Sequence, residues 1–102
     1  MELALDKKAE EPVILDMRGI STITDYFVIC SGTSARHTRT IAENIIHSLK
    51  SNHKITNNHV EGLDEASWVA IDYVDVIIHV FDEETRNIYQ LEKLWGDAEK
   101  VE

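Results

Sequence analysis

Residues 74–95, VDVIIHVFDEETRNIYQLEKLW, change from the pattern of a strand to the pattern of a helix within one continuous stretch. The run 75–81 is apolar and rich in β-branched residues, which predicts a strand. Asp82 or Glu83 then begins a helix, because carboxylates in a first turn are stabilised by the positive pole of the helix. His79 lies inside the most apolar part of the strand, so it is the residue of this stretch that most needs an explanation.

The helix in this stretch carries an apolar stripe. Ile88, Leu91 and Trp95 recur at three- and four-residue spacing, which brings them to one side of a helix. A second apolar run, 68–74, directly precedes the strand at 75–81, and the junction between the two runs is too short for a crossover connection. The two runs therefore predict a β-hairpin that is followed by a helix.

The rest of the chain contributes two strands, one helix and one short strand. Residues 13–17 and 25–30 predict strands that are covered on both faces, because neither alternates polar and apolar residues. An apolar stripe predicts a helix over 34–52, and 55–60 predicts the short strand. The order is β-β-α-β-β-β-α, and the length favours a single domain over residues 1–102. We predict an α/β (α+β) fold in which a single mixed sheet of about five strands is packed with helices.

The net charge of −9 argues against nucleic acid as a direct partner. Phosphate binding relies on lysine and arginine side chains that displace counterions, and this chain has 10 of them against 19 acidic residues. Residues 36–54 are the exception, because four basic residues there face one acidic residue, a local +3 that leaves −12 for the remainder. That acidic remainder suits a basic protein partner, or it simply keeps the domain in solution.

The sequence gives no indication of export or membrane insertion. Its longest apolar runs are far shorter than the ~20 residues of a membrane helix. The N-terminal segment MELALDKKAEEP is acidic and lacks the apolar core of a signal peptide. The single cysteine, Cys30, has no partner for an internal disulfide, which predicts a buried thiol and a cytoplasmic location.

Residues 31–34, SGTS, lie between a predicted strand and a predicted helix, where free amides favour an anion such as phosphate. The motif lacks the lysine and the longer glycine spacing of a phosphate loop, so a turn in which Thr33 or Ser34 caps the helix is the favoured interpretation. Together with Asp72 and Asp75, the loop would suit a nucleotide-binding or nucleotidyltransferase-like enzyme that holds Mg²⁺. Aspartates so placed are more typical of turns, and the enzyme stays an alternative hypothesis.

The histidines do not predict a metal site. No two of the five have the spacing that places two imidazoles on one helix face, and we predict neither a metal nor another cofactor. For His79, no serine or cysteine lies in a context that suggests nucleophilic catalysis. This favours a buried histidine with a hydrogen-bond partner, or a histidine at the edge of the sheet, over a catalytic one.

Aromatic residues are frequent around His79 in the sequence. Strand alternation places Trp68 and Asp72 on the sheet face opposite Val69 and Ile71. An exposed tryptophan beside an acidic residue is typical of a hot spot for protein docking. Packing of the tryptophan in the core is the alternative, and the pattern leaves both interpretations open.

The sequence resembles the ribosome silencing factors, also called the Iojap-like family. The similarity rests on three blocks in this order, DYFVICSGTSARH at 25–37, EGLDEASWVAIDYVDVIIHVF at 61–81 and RNIYQLEKLW at 86–95. Together with VILDMRGISTITDY, the similarity extends from about residue 10 to residue 96. Blocks of this length in this order are highly specific.

The resemblance implies an α/β fold distantly similar to nucleotidyltransferases but without catalysis. It also implies binding to large-subunit ribosomal protein fourteen, at the face of the large ribosomal subunit where the small subunit docks. The bound protein would block subunit joining and repress translation when nutrients are short. Members are often homodimers when free. The residues expected to contact the partner are Trp68, Asp72, Asp75, His79, Arg86, Tyr89 and Glu92.

The chain departs from this resemblance in two places. The family usually has glycine where Val74 stands and often near Ala66. Valine resists positive φ, so the hairpin turn is expected to take another shape, which affects the positions of Asp72 and Asp75. The segment MELALDKKA is shorter than the family's N-terminal helix, which leaves the oligomeric state open.

Overall fold

The computed structural model describes residues 10–20, 24–57, 59–94 and 99–101. The strands are β1 Glu10–Asp16, β2 Tyr26–Gly32, β3 His59–Glu61, β4 Trp68–Asp72, β5 Val76–Asp82 and β6 Glu99–Val101. The helices are α1 Ala35–His53, α2 Glu83–Tyr89 and α3 Leu91–Leu94. Among the described residues, none of the helices has both the length and the apolarity needed to cross a membrane.

These strands form one sheet in the order β3-β4-β5-β2-β1-β6. At its centre β2 and β5 run parallel, with Tyr26 opposite Val76 and Gly32 opposite Asp82, and the other neighbours are antiparallel. The predicted mixed sheet packed with helices is confirmed. The structure adds β6 at one edge, and β1 begins three residues earlier than the predicted strand 13–17.

Helix α1 covers one face of the sheet. It begins after Ser34, whose hydroxyl accepts a hydrogen bond from the His37 backbone N–H at 3.1 Å, so the capping turn favoured by the sequence is present. The helix packs against β2, β4 and β5. The side chains buried between helix and sheet are Cys30, Ile41, Ala42, Ile45, Val69, Ile71, Ile78 and Val80. The predicted burial of the cysteine thiol is confirmed, and burial raises the pKa of Cys30 to about 11.

The opposite face of the sheet is covered over only part of its width. Leu15, Ile29 and Phe81 are buried there with Leu91 of α3. Toward the β3 edge, the β4 side chains that point to this face are only half-buried. We call the face of the sheet opposite α1 the accessible face.

The predicted last helix is interrupted. It begins after Asp82, whose carboxylate caps α2, in agreement with the sequence. Gln90 has a φ of 46° and ends α2, so Ile88 and Leu91 lie on separate short helices. Ile88 is 69% exposed whereas Leu91 is buried. The predicted common stripe is therefore wrong for this pair, and Trp95 lies outside the described residues.

The short strand predicted at 55–60 lies further along the chain, at His59–Glu61. Lys54 ends α1 in the left-handed conformation, with its N–H bonded to the Leu49 carbonyl. Ile55 follows this cap outside any strand and is 46% exposed. The chain therefore leaves the helix through a cap and pairs with β4 only after a polar connection.

The predicted β4–β5 hairpin is confirmed. The Tyr73 N–H donates to the Val76 carbonyl at 2.8 Å, which leaves Val74 and Asp75 as a two-residue loop. Val74 has a φ of 72°, in the left-handed region that tight hairpins usually give to glycine. Valine thus adopts positive φ here in spite of its resistance to it, and the exposed side chain carries the strain.

Candidate docking surface

Five rings meet on the accessible face, and we call them the aromatic cluster: Phe27, Trp68, His79, Phe81 and Tyr89. The Trp68 indole is central, with ring centroids 4.9 Å from Phe81 and 5.0 Å from Tyr89. Phe27 meets His79 edge-to-face at 4.7 Å. Such ring pairs contribute roughly 0.5–1.5 kcal/mol beyond their buried area, so the contacts hold the cluster in one arrangement.

The cluster grades from buried to exposed. Phe81 is fully buried and His79 is 7% exposed, whereas Tyr89 is 55% exposed. Trp68 lies between these extremes and is half-buried, because Phe81 and Tyr89 pack against its indole. The predicted placement of Trp68 on the sheet face opposite Val69 and Ile71 is confirmed. The sequence left both exposure and core packing open, and the structure shows a half-buried indole.

His79 is the buried histidine with a hydrogen-bond partner that the sequence favoured. The Trp68 Nε1–H donates to His79 Nδ1 at 3.0 Å. Because the indole can only donate, Nδ1 is the unprotonated nitrogen and Nε2 carries the proton. Burial lowers the pKa of His79 to about 4, so the ring is neutral at pH 7. His79 therefore orients Trp68 and presents no charge.

The His79 Nε2–H is a buried donor with no acceptor among the described residues. A buried donor left in this state costs roughly 1–3 kcal/mol. The ring nevertheless lies between Phe27 and the Trp68 indole, where it contributes to the cluster. Position 79 thus has a polar ring, and the hydrogen bond that this ring makes is the one it accepts from Trp68.

Asp72 and Asp75 build the hairpin turn. The Asp72 Oδ1 accepts from the Val74 N–H at 2.7 Å. The Asp75 carbonyl accepts from the Asp25 N–H at 2.9 Å and from the Tyr26 N–H at 3.1 Å. The part of the chain that the structure describes contains no group of three or more His, Cys, Asp and Glu residues that could hold a metal ion. Both aspartates therefore have the turn role that the sequence favoured.

The SGTS loop and the two aspartates lie at opposite ends of the sheet. Strand β2 starts at Tyr26 beside Asp75 and ends at Gly32, which separates them by about 20 Å at ~3.3 Å per residue. Gly32 lets α1 approach closely, since a Cβ there would lie 2.7 Å from the Thr38 nitrogen. This geometry does not assemble the loop and carboxylates that the alternative enzyme hypothesis requires.

Arg86 lies inside the protein. It is only 5% exposed, and its Nη1 donates to the Ser31 Oγ at 3.2 Å, which ties α2 to β2. We expected Arg86 on the contact surface, and its burial corrects this expectation. The side chain of Glu92 lies outside the described part of the chain. Three of the other expected residues belong to the aromatic cluster: Trp68, His79 and Tyr89. Asp72 lies on the same sheet face as Trp68, and Asp75 lies in the hairpin loop.

Phe27 is a member of the cluster that the sequence does not predict. Phe27 reaches His79 because β2 and β5 pair in parallel with Phe27 opposite Ile77. Parallel pairing between distant strands leaves no local signal. The alternation of β2 indicates which face Phe27 occupies, but only the register gives its neighbour.

A family model described as ribosomal silencing factor during starvation matches residues 1–102. The chain belongs to the ribosomal silencing factor family. It is similar to ribosomal silencing factor RsfS of Bacillus subtilis (strain 168), with 48% identity over 93 residues that cover 91% of this chain and 78% of that protein. The recognised resemblance to this family is thereby confirmed.

Two further comparisons extend this result. A crystal structure of a Bacillus halodurans protein superimposes with a TM-score of 0.85 at 40% identity and covers 99% of this chain and 90% of that one. A mouse relative, mitochondrial assembly of ribosomal large subunit protein 1, is 33% identical over 97 residues, 93% of this chain and 42% of its own length. The α+β fold is therefore shared with the Bacillus halodurans structure, and the relatives matched by sequence have names that refer to the ribosome.

Proposed function

We propose that this protein binds the large ribosomal subunit through large-subunit ribosomal protein fourteen, at the intersubunit face. In this position it sterically blocks association with the small subunit and represses translation in the cytoplasm when nutrients are limiting. Family membership supports the role of silencing factor. The name of the mouse relative refers to the large subunit, which supports that subunit as the partner.

The observation that carries the proposal is the aromatic cluster on the accessible face. Tyr89 is exposed and Trp68 is half-buried. The buried Phe81 and His79 hold the Trp68 indole, and Tyr89 packs against that indole. Tryptophan and tyrosine anchors of this kind dominate binding energy at protein interfaces. A preorganised aromatic surface also loses little side-chain freedom on docking.

The size of the domain requires the contact to span several elements. A specific interface buries about 800 Å² on each partner, roughly 20–30 residues. We therefore propose that the contact centres on Trp68 and Tyr89 and extends over Asp72 toward Asp75. His79 acts from beneath Trp68, and Arg86 acts by fixing α2 against the sheet.

No bond is made or broken in this mechanism. The protein acts by occupying the volume and the contacts that the small subunit needs, so its effect depends on its free concentration relative to the Kd. The same accessible face suits pairing of two copies, and we propose a homodimer in the absence of ribosomes. Analytical ultracentrifugation across concentrations tests the dimer, and a monomer at every concentration would contradict it.

Cosedimentation with purified large subunits, with small subunits as the negative control, tests the proposed function. We expect the wild type to pellet with large subunits only and to reduce the amount of joined ribosomes. We expect Trp68→Ala and Tyr89→Ala to lose both effects. His47→Ala, an exposed change on α1, serves as the matched control and should behave as the wild type.

Two results would contradict the proposal. The first is a wild-type protein that does not pellet with large subunits. The second is a bound protein that leaves subunit joining unchanged. If Trp68→Ala and Tyr89→Ala both retained wild-type binding, the aromatic cluster would be excluded as the docking surface, whereas the function itself would stand. Circular dichroism of each variant separates loss of contact from loss of fold.

A further inference from the structure

A groove of about 250 Å³ lies beside Trp68 at the β3 edge of the accessible face. It is lined by Glu61, Gly62, Trp68 and Ala70. Glu61 and Ala70 are direct partners across the β3–β4 pair, so an acidic side chain and a small apolar one share this groove. Ala70 leaves space in the groove that a longer side chain would fill. At Gly62 the backbone itself forms the wall, because a Cβ there would lie 2.1 Å from the Trp68 carbonyl oxygen.

The loop that forms the wall of the groove is held from both sides. The Ala66 N–H donates to the Gly62 carbonyl at 2.8 Å, and Ala66 is buried. From α1, the Arg39 guanidinium donates to the carbonyls of Leu63 and Asp64. The groove is therefore preformed, and a ligand would not need to order this loop before binding.

The charge around the groove is negative. Residues 55–85 contain no lysine or arginine. Glu61 at the end of β3 and Asp64 and Glu65 in the loop are all exposed. The Arg39 guanidinium donates to the backbone carbonyls of Leu63 and Asp64. The Glu61 carboxylate lies 3.0 Å from the His59 ring, which is itself well exposed. A cation entering the groove is attracted and an anion is repelled.

The indole contributes a second preference for a cation. The one hydrogen-bond donor of Trp68, its Nε1–H, is already bonded to His79. Since the indole has no other polar hydrogen, it offers the groove only its ring surface. Tryptophan is the side chain whose ring face attracts ammonium and guanidinium groups most strongly. A carboxylate and an indole in one small groove therefore favour the same kind of ligand.

We propose that the groove receives a lysine or arginine side chain of the protein on which the aromatic cluster docks. The aliphatic stem of that side chain lies over Ala70, and its charged end lies between Glu61 and Trp68. This inference rests on the proposed function, because it identifies the chemistry that the partner presents at the same surface. It also explains how an acidic chain finds a protein surface within a ribosome, since phosphate is repelled from this edge.

Affinity for purified large subunits, measured over a series of salt concentrations, tests the inference. We expect Glu61→Gln to weaken binding about tenfold at low ionic strength, with a difference that shrinks as salt screens the charge. Glu43→Gln makes the same change of net charge on exposed α1 and should stay within about twofold of the wild type. Ala70→Leu fills the groove without changing charge and should weaken binding about tenfold at every salt concentration.

The outcomes separate the two proposals. If the wild type binds and Trp68→Ala does not, while Glu61→Gln and Ala70→Leu bind like the wild type, the groove is unoccupied and this inference is overturned, yet docking stands. Equal weakening by Glu61→Gln and Glu43→Gln would also overturn it, because a general charge effect would then explain both. A wild type that ignores large subunits overturns the proposed function itself.

Discussion

The two faces of the sheet differ in the kind of side chains that cover them and in how deeply those side chains are buried. Between α1 and the sheet, residues such as Ile41, Val69 and Val80 are fully buried in an aliphatic layer. On the accessible face, short α2 and α3 leave Trp68 half-buried and Tyr89 exposed. An aliphatic layer that excludes water stabilises the fold, whereas aromatic rings left partly exposed retain surface that a partner can bury.

We propose that this sheet divides stability and recognition between its two faces. The α1 face has a long continuous helix with one apolar stripe, and the accessible face has a helix that breaks at Gln90. The break separates Ile88 and Leu91, which a continuous helix would place on one side, so that Leu91 is buried while Ile88 and Tyr89 remain at the surface. The following predictions test whether stability and recognition are indeed divided between the two faces.

The largest effect on stability is expected from a change in the layer between α1 and the sheet. Ile41→Ala removes a fully buried side chain and should lower the free energy of unfolding by about 2–5 kcal/mol, because a cavity is left behind. Urea unfolding measures this loss. Folded Ile41→Ala protein should still bind large subunits as the wild type does. A loss of affinity without a loss of stability would contradict the division of stability and recognition between the two faces.

On the accessible face, we expect His79 to make the free energy of unfolding depend on pH. Its folded pKa of about 4 lies below the ordinary value of 6.5, so between these values the unfolded chain binds the proton more readily. The stabilisation is full above about pH 6.5 and falls away as pH drops toward 4, by up to about 3 kcal/mol.

The measurement for His79 is urea unfolding of the wild type and His79→Gln at about pH 7.5 and about pH 4.5. Both proteins contain the same carboxylates, so the difference between them isolates the imidazole. The stability of the wild type relative to the variant should fall on acidification. Parallel pH profiles would show that burial of this ring is not linked to stability.

Gly62, where the loop passes against β4, should be less tolerant than another glycine with the same backbone conformation. Gly62 has a φ of 84°, and a Cβ there would lie 2.1 Å from the Trp68 carbonyl oxygen. Gly19 has a φ of 86°, and none of the residues that the structure describes has an atom within 4 Å of a Cβ placed there. We expect Gly62→Ala to lose about 2 kcal/mol more than Gly19→Ala in urea unfolding. Equal losses would mean that the loop moves freely away from Trp68.

The smallest effect is expected at the hairpin turn. Val74→Gly should raise the free energy of unfolding by about 1 kcal/mol, because it relieves a β-branched residue at a φ of 72°. Val76→Gly, at the start of β5, is the control and should lower it, since a half-buried strand residue loses its side chain. A Val74→Gly protein that is less stable than the wild type would show that the turn is not strained.

Most of the fold was predictable because its signals are local. The stripe of α1, the Ser34 cap and the short β4–β5 junction each depend on neighbouring residues. The break at Gln90 has no comparable signal, since glutamine rarely adopts positive φ. β6 depends on pairing with a distant strand, which alternation within a short segment does not reveal.

The candidate site was predictable only in part. Strand alternation correctly placed Trp68 and Asp72 on one face, and the apolar context of His79 correctly indicated burial. The interior position of Arg86 was missed, because a charged residue in a helix is usually at the surface. Its burial depends on Ser31, a hydrogen-bond partner 55 residues away.

Hydroxyl-radical footprinting of the protein, free and bound to purified large subunits, tests the central claim most directly. The claim is that the accessible face docks while the α1 face remains open to solvent. We expect binding to reduce oxidation of Trp68 and Tyr89 and to leave His47 on α1 as reactive as in the free protein. Protection of His47 with unchanged oxidation of Trp68 and Tyr89 would contradict the account.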